Sequence, residues 1–140
     1  MKVVLDTNVV VSGLIQSKGN PARILSLALA GAVEVCHDDR ILAEYAEVLA
    51  RPRFNLDSRR VREVLAKLET DGLRIDVSEI GKVTLPDIDD EPFLEVARAA
   101  SACLITGNIA DFPEDKRKGC LVLRPAEFIE YWQKLQSKTK

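Results

Sequence analysis

The chain has 140 residues, 46% of them hydrophobic and 30% charged, and a formal net charge of −2. This length suits one domain able to bury a core without disulfide staples, and the balance excludes a disordered or membrane-embedded chain. The near-neutral charge also excludes a domain that holds nucleic acid by bulk electrostatics, so any such partner has to be argued from a site.

Residues 2–6, KVVLD, are almost continuously apolar and predict a strand that ends in Asp6. An ordinary strand end needs no carboxylate, so Asp6 either caps the next segment or belongs to a site. Asn20-Pro21 predicts a helix start, as N-cap and first helical position, and Gly31 predicts its stop. A second strand is expected at 33–36. The next helix is capped by Asp38 or Asp39 and ends near Arg51, because Pro52 disfavours helix in the residue before it.

Ser58 caps a third helix, which carries the stripe Val61, Val64, Leu65, Leu68 and stops at Gly72; a third strand is expected at 73–77. Another helix spans about 90–100, with Pro92 tolerated in its first turn. Strands at 102–106 and 120–123 come next, and a last helix begins at Pro125, with the chain expected to fray from about residue 134. Strands alternating with helices predict right-handed crossovers and an open α/β sheet, whose ligand crevice lies beyond the carboxyl ends of the strands.

Acids gather at that edge. In ILAEYAEVL the apolar stripe leaves Glu44 on its flank and turns Glu47 to solvent. LPDIDDEPFLEVA brings Asp87, Asp89, Asp90 and Glu91 to a helix start, more carboxylates than capping requires. LITGNIADF leaves the fourth strand through Thr106 and presents Asn108 and Asp111. If Asp6, Glu44, Asp90 and Asp111 converge at about 4–5 Å, each ionised pair repels by roughly 3–4 kcal/mol at an effective dielectric near 20. A divalent cation or protonation has to relieve that repulsion, and all-oxygen ligands suit Mg²⁺ or Mn²⁺ better than zinc.

Taken together, LDTNV, ILAEYAEVL, DDEPFLEVA and TGNIADF, in this order and spacing, resemble the PIN domain, a family of Mg²⁺/Mn²⁺-dependent nucleases. The resemblance covers essentially the whole chain as one domain, 1–140, and is nearest to the small prokaryotic PIN proteins that serve as toxins of toxin-antitoxin systems. It implies a three-layer α/β/α fold with a parallel five-stranded sheet of order 3-2-1-4-5. Catalytic and metal-binding roles are implied for Asp6, Glu44, Asp90 and Asp111, with Asp89 standing in for Asp90 if the register slips by one. Supporting roles fall to Asn8, Thr106 and Asn108. Relatives often carry aspartate in place of Asn108, a departure that leaves Asp111 as the choice of fourth acid, and many carry serine in place of Asp38, which implies a more acidic helix start here.

The implied activity is hydrolysis of RNA phosphodiester bonds by an endoribonuclease, leaving 5′-phosphate and 3′-hydroxyl ends, with a small antitoxin protein as partner and a homodimer as the assembly. Basic rim candidates are Arg51 and Arg53, the set Arg59, Arg60, Arg62 and Lys67, and above all Lys116, Arg117 and Lys118. A haloacid-dehalogenase-like phosphatase is disfavoured, since its chemistry wants an aspartate two residues after the first and this chain has Asn8. A PIN-like module that only binds RNA or protein has little reason to keep four mutually repelling acids.

His37 lacks the companions a metal site requires and is expected to be structural or hydrogen-bonded. Three cysteines, Cys36, Cys103 and Cys120, lie in strand-like runs and read as buried thiols. With no signal-peptide pattern in MKVVLD and no membrane span, the expected location is the cytoplasm.

Overall fold

The structure is a computed structural model that describes residues 1–138. Strand β1 (Lys2–Leu5) is followed by helices α1 (Thr7–Ile15) and α2 (Asn20–Leu29), then β2 (Glu34–His37), α3 (Asp39–Leu49), α4 (Ser58–Asp71) and β3 (Leu73–Arg74). Helix α5 (Glu91–Ala100), β4 (Cys103–Ile105), β5 (Val122–Leu123) and α6 (Pro125–Lys138) complete the chain. Single 3₁₀ turns stand at Pro52–Phe54, Ile88–Asp90, Ile109–Asp111 and Glu114–Lys116.

All five strands pair in parallel in the order β3-β2-β1-β4-β5. Right-handed crossovers carry α1 to α4 over one face as the chain steps outward from β1 to β3, and α5 over the other as it returns past β2 and β1 to β4. Packing agrees: α5 lies against β1, β2 and β4, while α2 packs on α1, α4 and α6. Val3, Val4, Leu5, Leu104 and Ile105 are fully buried between these layers, as near-continuous apolar strands covered on both faces must be.

Helix α1 was not among the elements expected from the sequence. The run TNVVVSGLI is rich in β-branched residues, which read locally as strand, yet it is helical, with the successive Val9, Val10 and Val11 all buried because the helix is covered around most of its circumference. Gly13 makes that packing possible: a Cβ there would stand 3.0 Å from Pro21 O and 3.2 Å from the Leu25 side chain. Tertiary contact with α2 overrides local propensity.

The other differences are small. Gly19, at φ +112°, precedes α2 and Asn20 is already helical. Asp57 rather than Ser58 caps α4, accepting from Arg59 N at 2.9 Å. Strand β3 is shorter than expected: Ile75 N still bonds to His37 O at 2.9 Å, and beyond it Asp76 turns the chain by accepting from Ser78 N at 2.8 Å. Helix α6 continues to Lys138; the rest of the expected frayed tail, 139–140, lies outside the described residues. Among the described residues no helix is long and apolar enough to cross a membrane.

Candidate functional site

The strand order reverses between β1 and β4, and there the chain builds a polar knot. Asp6 is the N-cap of α1, accepting from Thr7 N at 2.8 Å. Its other oxygen, Oδ2, accepts from Thr106 Oγ1 at 2.7 Å and from Asn8 Nδ2 at 3.2 Å. Asn8 Oδ1 in turn accepts from Gly107 N at 2.9 Å, and Thr106 Oγ1 from Asn108 N at 3.0 Å. Asp6 N bonds to Ile105 O at 2.9 Å, so the turns after β1 and β4 are tied by backbone and side chain alike. Asp6 therefore caps a helix and stands in the crevice; the two readings of its carboxylate are compatible.

Glu44 reaches the same edge from α3. Its carboxylate accepts a hydrogen bond from the Thr7 hydroxyl, and the next residue, Tyr45, is fully buried and donates its hydroxyl to Leu5 O. Helix α3 is thus pinned to the last residue of β1, with the Tyr45 and Phe93 rings 6.3 Å apart behind it. Thr7 is the functional-edge residue that sequence reasoning underused. Its signal was position: a hydroxyl directly after the first acid.

Asp90 ends the 3₁₀ turn that leads into α5, half-buried and with no capping bond to its side chain. Its neighbour Asp89 is exposed, and Asp87 accepts from Asp89 N at 2.9 Å. Of the two, Asp90 faces the cluster. Its pKa is pushed up to about 7 by burial first and then by the charges of Asp6, Asp111, Asp87 and Glu44. Burial also raises Asp6, against the opposing bonds from Thr106, Thr7 and Asn8 and with Asp111 adding to the rise. For Glu44, burial and the charges of Asp6 and Asp89 raise the carboxyl, while the bond from Thr7 lowers it. Asp111 sits in its own 3₁₀ turn, held by the buried Phe112 beside it.

The four expected acids thus come to one edge, mutually coupled, and none has an ion-pair partner among the described residues. No group of three or more His, Cys, Asp or Glu among the described residues is already set in a metal-coordinating arrangement. The chemistry of the donors nevertheless fits a hard divalent cation: oxygen only, anionic, partly desolvated and lacking a balancing cation among the described residues.

The rim is arranged differently from expectation. Lys118 lines a recess with Met1, Lys2 and Cys103, the amino ends of β1 and β4, on the far side of the sheet from Asp6. Arg117 is half-buried and donates from Nε to Phe112 O at 2.7 Å, a bond that holds the loop together. Lys116 is exposed at the end of the last 3₁₀ turn. Arg51 and Arg53 come after α3, whose course carries them roughly 10 Å or more beyond Glu44 at about 1.5 Å per residue, away from the edge where the helix starts. Arg51 pairs with Glu47 at 3.1 Å and Arg53 covers the Phe54 ring at 4.8 Å.

The cations that do lie at strand carboxyl ends are Arg40, Arg74 and Arg124, none of them singled out from sequence. Their signal was position after β2, at the end of β3 and after β5. Each is already paired. Arg40 bridges Asp38 at 2.7 Å and Glu95 at 2.6 Å, Arg74 meets Asp39 at 2.7 Å, and Arg124 lies 3.7 Å from Glu127. Arg40 also corrects the expectation of an extra acid: Asp38 caps α3, accepting from Ile41 N at 3.0 Å, and its charge is neutralised.

His37 is buried, and its ring nitrogens make no hydrogen bond of good geometry among the described residues, although the Glu69 and Leu68 backbone lies near enough to favour the protonated ring. Burial lowers its pKa, against opposing contributions from Glu69 and the Leu68 backbone. Cys36 and Cys103 are buried thiols, pushed up to about 11 and about 12 by desolvation; Cys120 is half-buried.

Comparison with known proteins places this geometry. A family model described as PIN domain matches residues 2–110. An uncharacterized protein of Methanocaldococcus jannaschii, MJ1680, is 30% identical over 148 residues, spanning 98% of this chain and 95% of its own. Among solved structures, VapBC2 from Rickettsia felis, bound to a DNA fragment from its promoter, aligns with a TM-score of 0.58 at 17% identity, over 89% of this chain and 98% of that one. FitAB bound to an IR36 DNA fragment aligns with a TM-score of 0.59 at 19% identity, over 88% and 94%. At these identities the solved structures speak for the fold.

Proposed function

The chain belongs to the PIN-domain family, and from that premise we propose that it is a Mg²⁺- or Mn²⁺-dependent endoribonuclease that hydrolyses RNA phosphodiester bonds. The observation that carries this reading is the gathering of Asp6, Glu44, Asp90 and Asp111 at one sheet edge with no ion-pair partner among the described residues, where burial and four neighbouring acids push the half-buried Asp90 up to about 7. Such a cluster lowers the stability of the free protein and gains its purpose when a cation enters.

Asp6, Asp90 and Asp111 are the proposed ligands, with Glu44 completing the site from α3. When bound, a divalent ion supplies Lewis acidity toward the scissile phosphate and lowers the pKa of an attacking water. The chain's own part is positioning. Thr106, Thr7 and Asn8 hold both Asp6 oxygens in fixed directions, and Thr7 holds Glu44, so the donors are oriented before substrate arrives. Asn8 is bonded at both ends of its amide, to Asp6 and to Gly107, which leaves it no acid-base work.

The physiological setting we propose is that of a toxin restrained by a small antitoxin, by analogy with the VapBC2 and FitAB complexes that share the fold. Exposed Ile15, beside a recess in which Leu14, Phe54, Leu56 and Val61 are mixed with Asn55, Asp57 and Arg60, supplies a surface for such a partner.

Calorimetric titration with Mn²⁺ tests the reading. Uptake at micromolar to millimolar concentration, lost in Asp90→Asn together with RNA cleavage, is the expected result. A protein that takes up no ion at about 1 mM, or that cleaves RNA equally well in EDTA, overturns it.

A further inference from the structure

At the opposite end of the sheet, where β1 and β4 begin, a recess of about 440 Å³ is lined by Lys2, Arg98, Ser101, Lys118, Cys120 and Tyr131 among others. Among the described residues no aspartate or glutamate lines it. In a chain of net charge −2 that is a local concentration of positive charge. It lies outside the acidic site and is not explained by it.

The three cations are weakly engaged. Lys2 Nζ touches Ala100 O at 3.4 Å and Arg98 Nη1 touches Gly81 O at 3.4 Å, both longer than an ordinary N–H···O bond. Lys118 makes no hydrogen bond or ion pair among the described residues, and its φ of +54° is a left-handed conformation costly for a lysine. Glu34 stands opposite Lys2 in the β1–β2 register, yet no ion pair joins them. Three cations with no ion-pair partner among the described residues repel each other around one concavity, and an anion relieves that repulsion. Consistent with this field, burial raises the Cys120 thiol while a bond with the Leu104 backbone and the charges of Arg117 and Arg98 oppose that rise.

We propose that this recess binds the phosphate group of a nucleotide-sized ligand, with Lys2, Arg98 and Lys118 around the phosphate and Tyr131 against the ligand's planar ring. Size favours a small ligand over a strand of nucleic acid: the volume falls in the lower part of the range typical of small-molecule sites, about 300–1,000 Å³. Arg98 supplies a fork for two phosphate oxygens and the lysines supply point charges. Tyr131, on α6 and partly exposed, offers a flat apolar face beside them.

The test is calorimetric titration of the metal-free protein in EDTA with adenosine 5′-monophosphate, adenosine and inorganic phosphate. EDTA keeps the acidic edge silent, so the outcome is independent of any nuclease activity. The monophosphate is expected to bind, inorganic phosphate to compete with it more weakly, and adenosine to bind at least roughly tenfold more weakly than the monophosphate. Arg98→Gln and Lys118→Gly should each weaken the monophosphate by about fivefold or more; the glycine suits the left-handed backbone and safeguards folding. Tyr131→Leu should weaken the monophosphate and leave inorganic phosphate unchanged. The proposal is overturned by absence of binding up to about 5 mM monophosphate, by adenosine binding as tightly as its phosphate, or by affinity unchanged in both charge variants.

Discussion

Thr7, in the first turn of α1, donates its hydroxyl to the carboxylate of Glu44 in the middle of α3. The contact joins two helices that come from opposite sides of β2 in the chain, and it fixes the one acid of the four that lies within an α-helix.

Thr7→Val keeps the shape of the side chain and removes the donor. The Glu44 carboxyl, already raised by burial, should rise further, because the bond from Thr7 is what opposes that rise. Loss of a hydrogen bond to a charged group is expected to cost roughly 1–2 kcal/mol, read as a lower urea midpoint at unchanged slope. Mn²⁺ affinity should fall several-fold in the same variant, since Glu44 becomes free to turn away.

Asp6→Asn and Asp90→Asn should part company. The asparagine at position 6 can still cap α1, but its amide nitrogen would face the donors Thr106 and Asn8, costing about 1–3 kcal/mol. Asp90 has no such bonds and suffers the cluster's repulsion, so Asp90→Asn should leave metal-free stability equal or higher at pH 8. After discounting for solvent screening of a half-exposed group, the gain is on the order of 1 kcal/mol. Both variants should lose Mn²⁺ binding, and urea melts with and without the ion will separate the two effects.

Stability of the metal-free protein should depend on pH in two opposing ways. Asp90 binds its proton more tightly folded than unfolded, so its contribution declines as pH rises from about 4 through about 7, with Asp6 and Glu44 acting in the same sense. His37 binds its proton less tightly folded than unfolded, so stability is lost as pH falls through the ordinary histidine value of about 6.5. His37→Leu should remove the second slope and leave the first, and Asp90→Asn should do the reverse. Urea midpoints at pH 5.5 and 8 check both.

Gly72 closes α4 in a space with no room for a side chain: a Cβ there would lie 2.3 Å from Val35 O, 2.4 Å from Leu68 O and 3.1 Å from His37 Cδ2. Two of those atoms are backbone and cannot step aside. Gly72→Ala is therefore expected to cost about 3 kcal/mol or more, visible as a large fall in thermal midpoint.

Helix positions and the convergence of Asp6, Glu44, Asp90 and Asp111 were legible because they rest on periodicity and on strand ends, which sequence records directly; the sheet order came from the resemblance to the PIN domain. Helix α1 was hidden because three consecutive valines favour a strand locally and only packing across Gly13 decides otherwise. Asp89 and Asp90 were separable only in three dimensions, where one is exposed and the other faces Asp6 and Asp111. The basic rim was misplaced for a related reason. A run such as Lys116-Arg117-Lys118 announces charge but not direction, and a loop between parallel strands must cross from one end of the sheet to the other, carrying Lys118 to the wrong side. Arg40, Arg74 and Arg124, isolated in sequence, are the cations that arrive at the right one.

The two outermost strands, Leu73–Arg74 and Val122–Leu123, are only two residues long each. A sheet that ends so abruptly offers another chain almost no ladder to extend, and Arg74 sets a charge on one of its borders. The fully apolar centre of the sheet, Val3 to Leu5 beside Leu104 and Ile105, is thereby kept from serving as a template for edge-to-edge polymerisation. The brevity of these strands protects the protein from aggregation while leaving their carboxyl ends open.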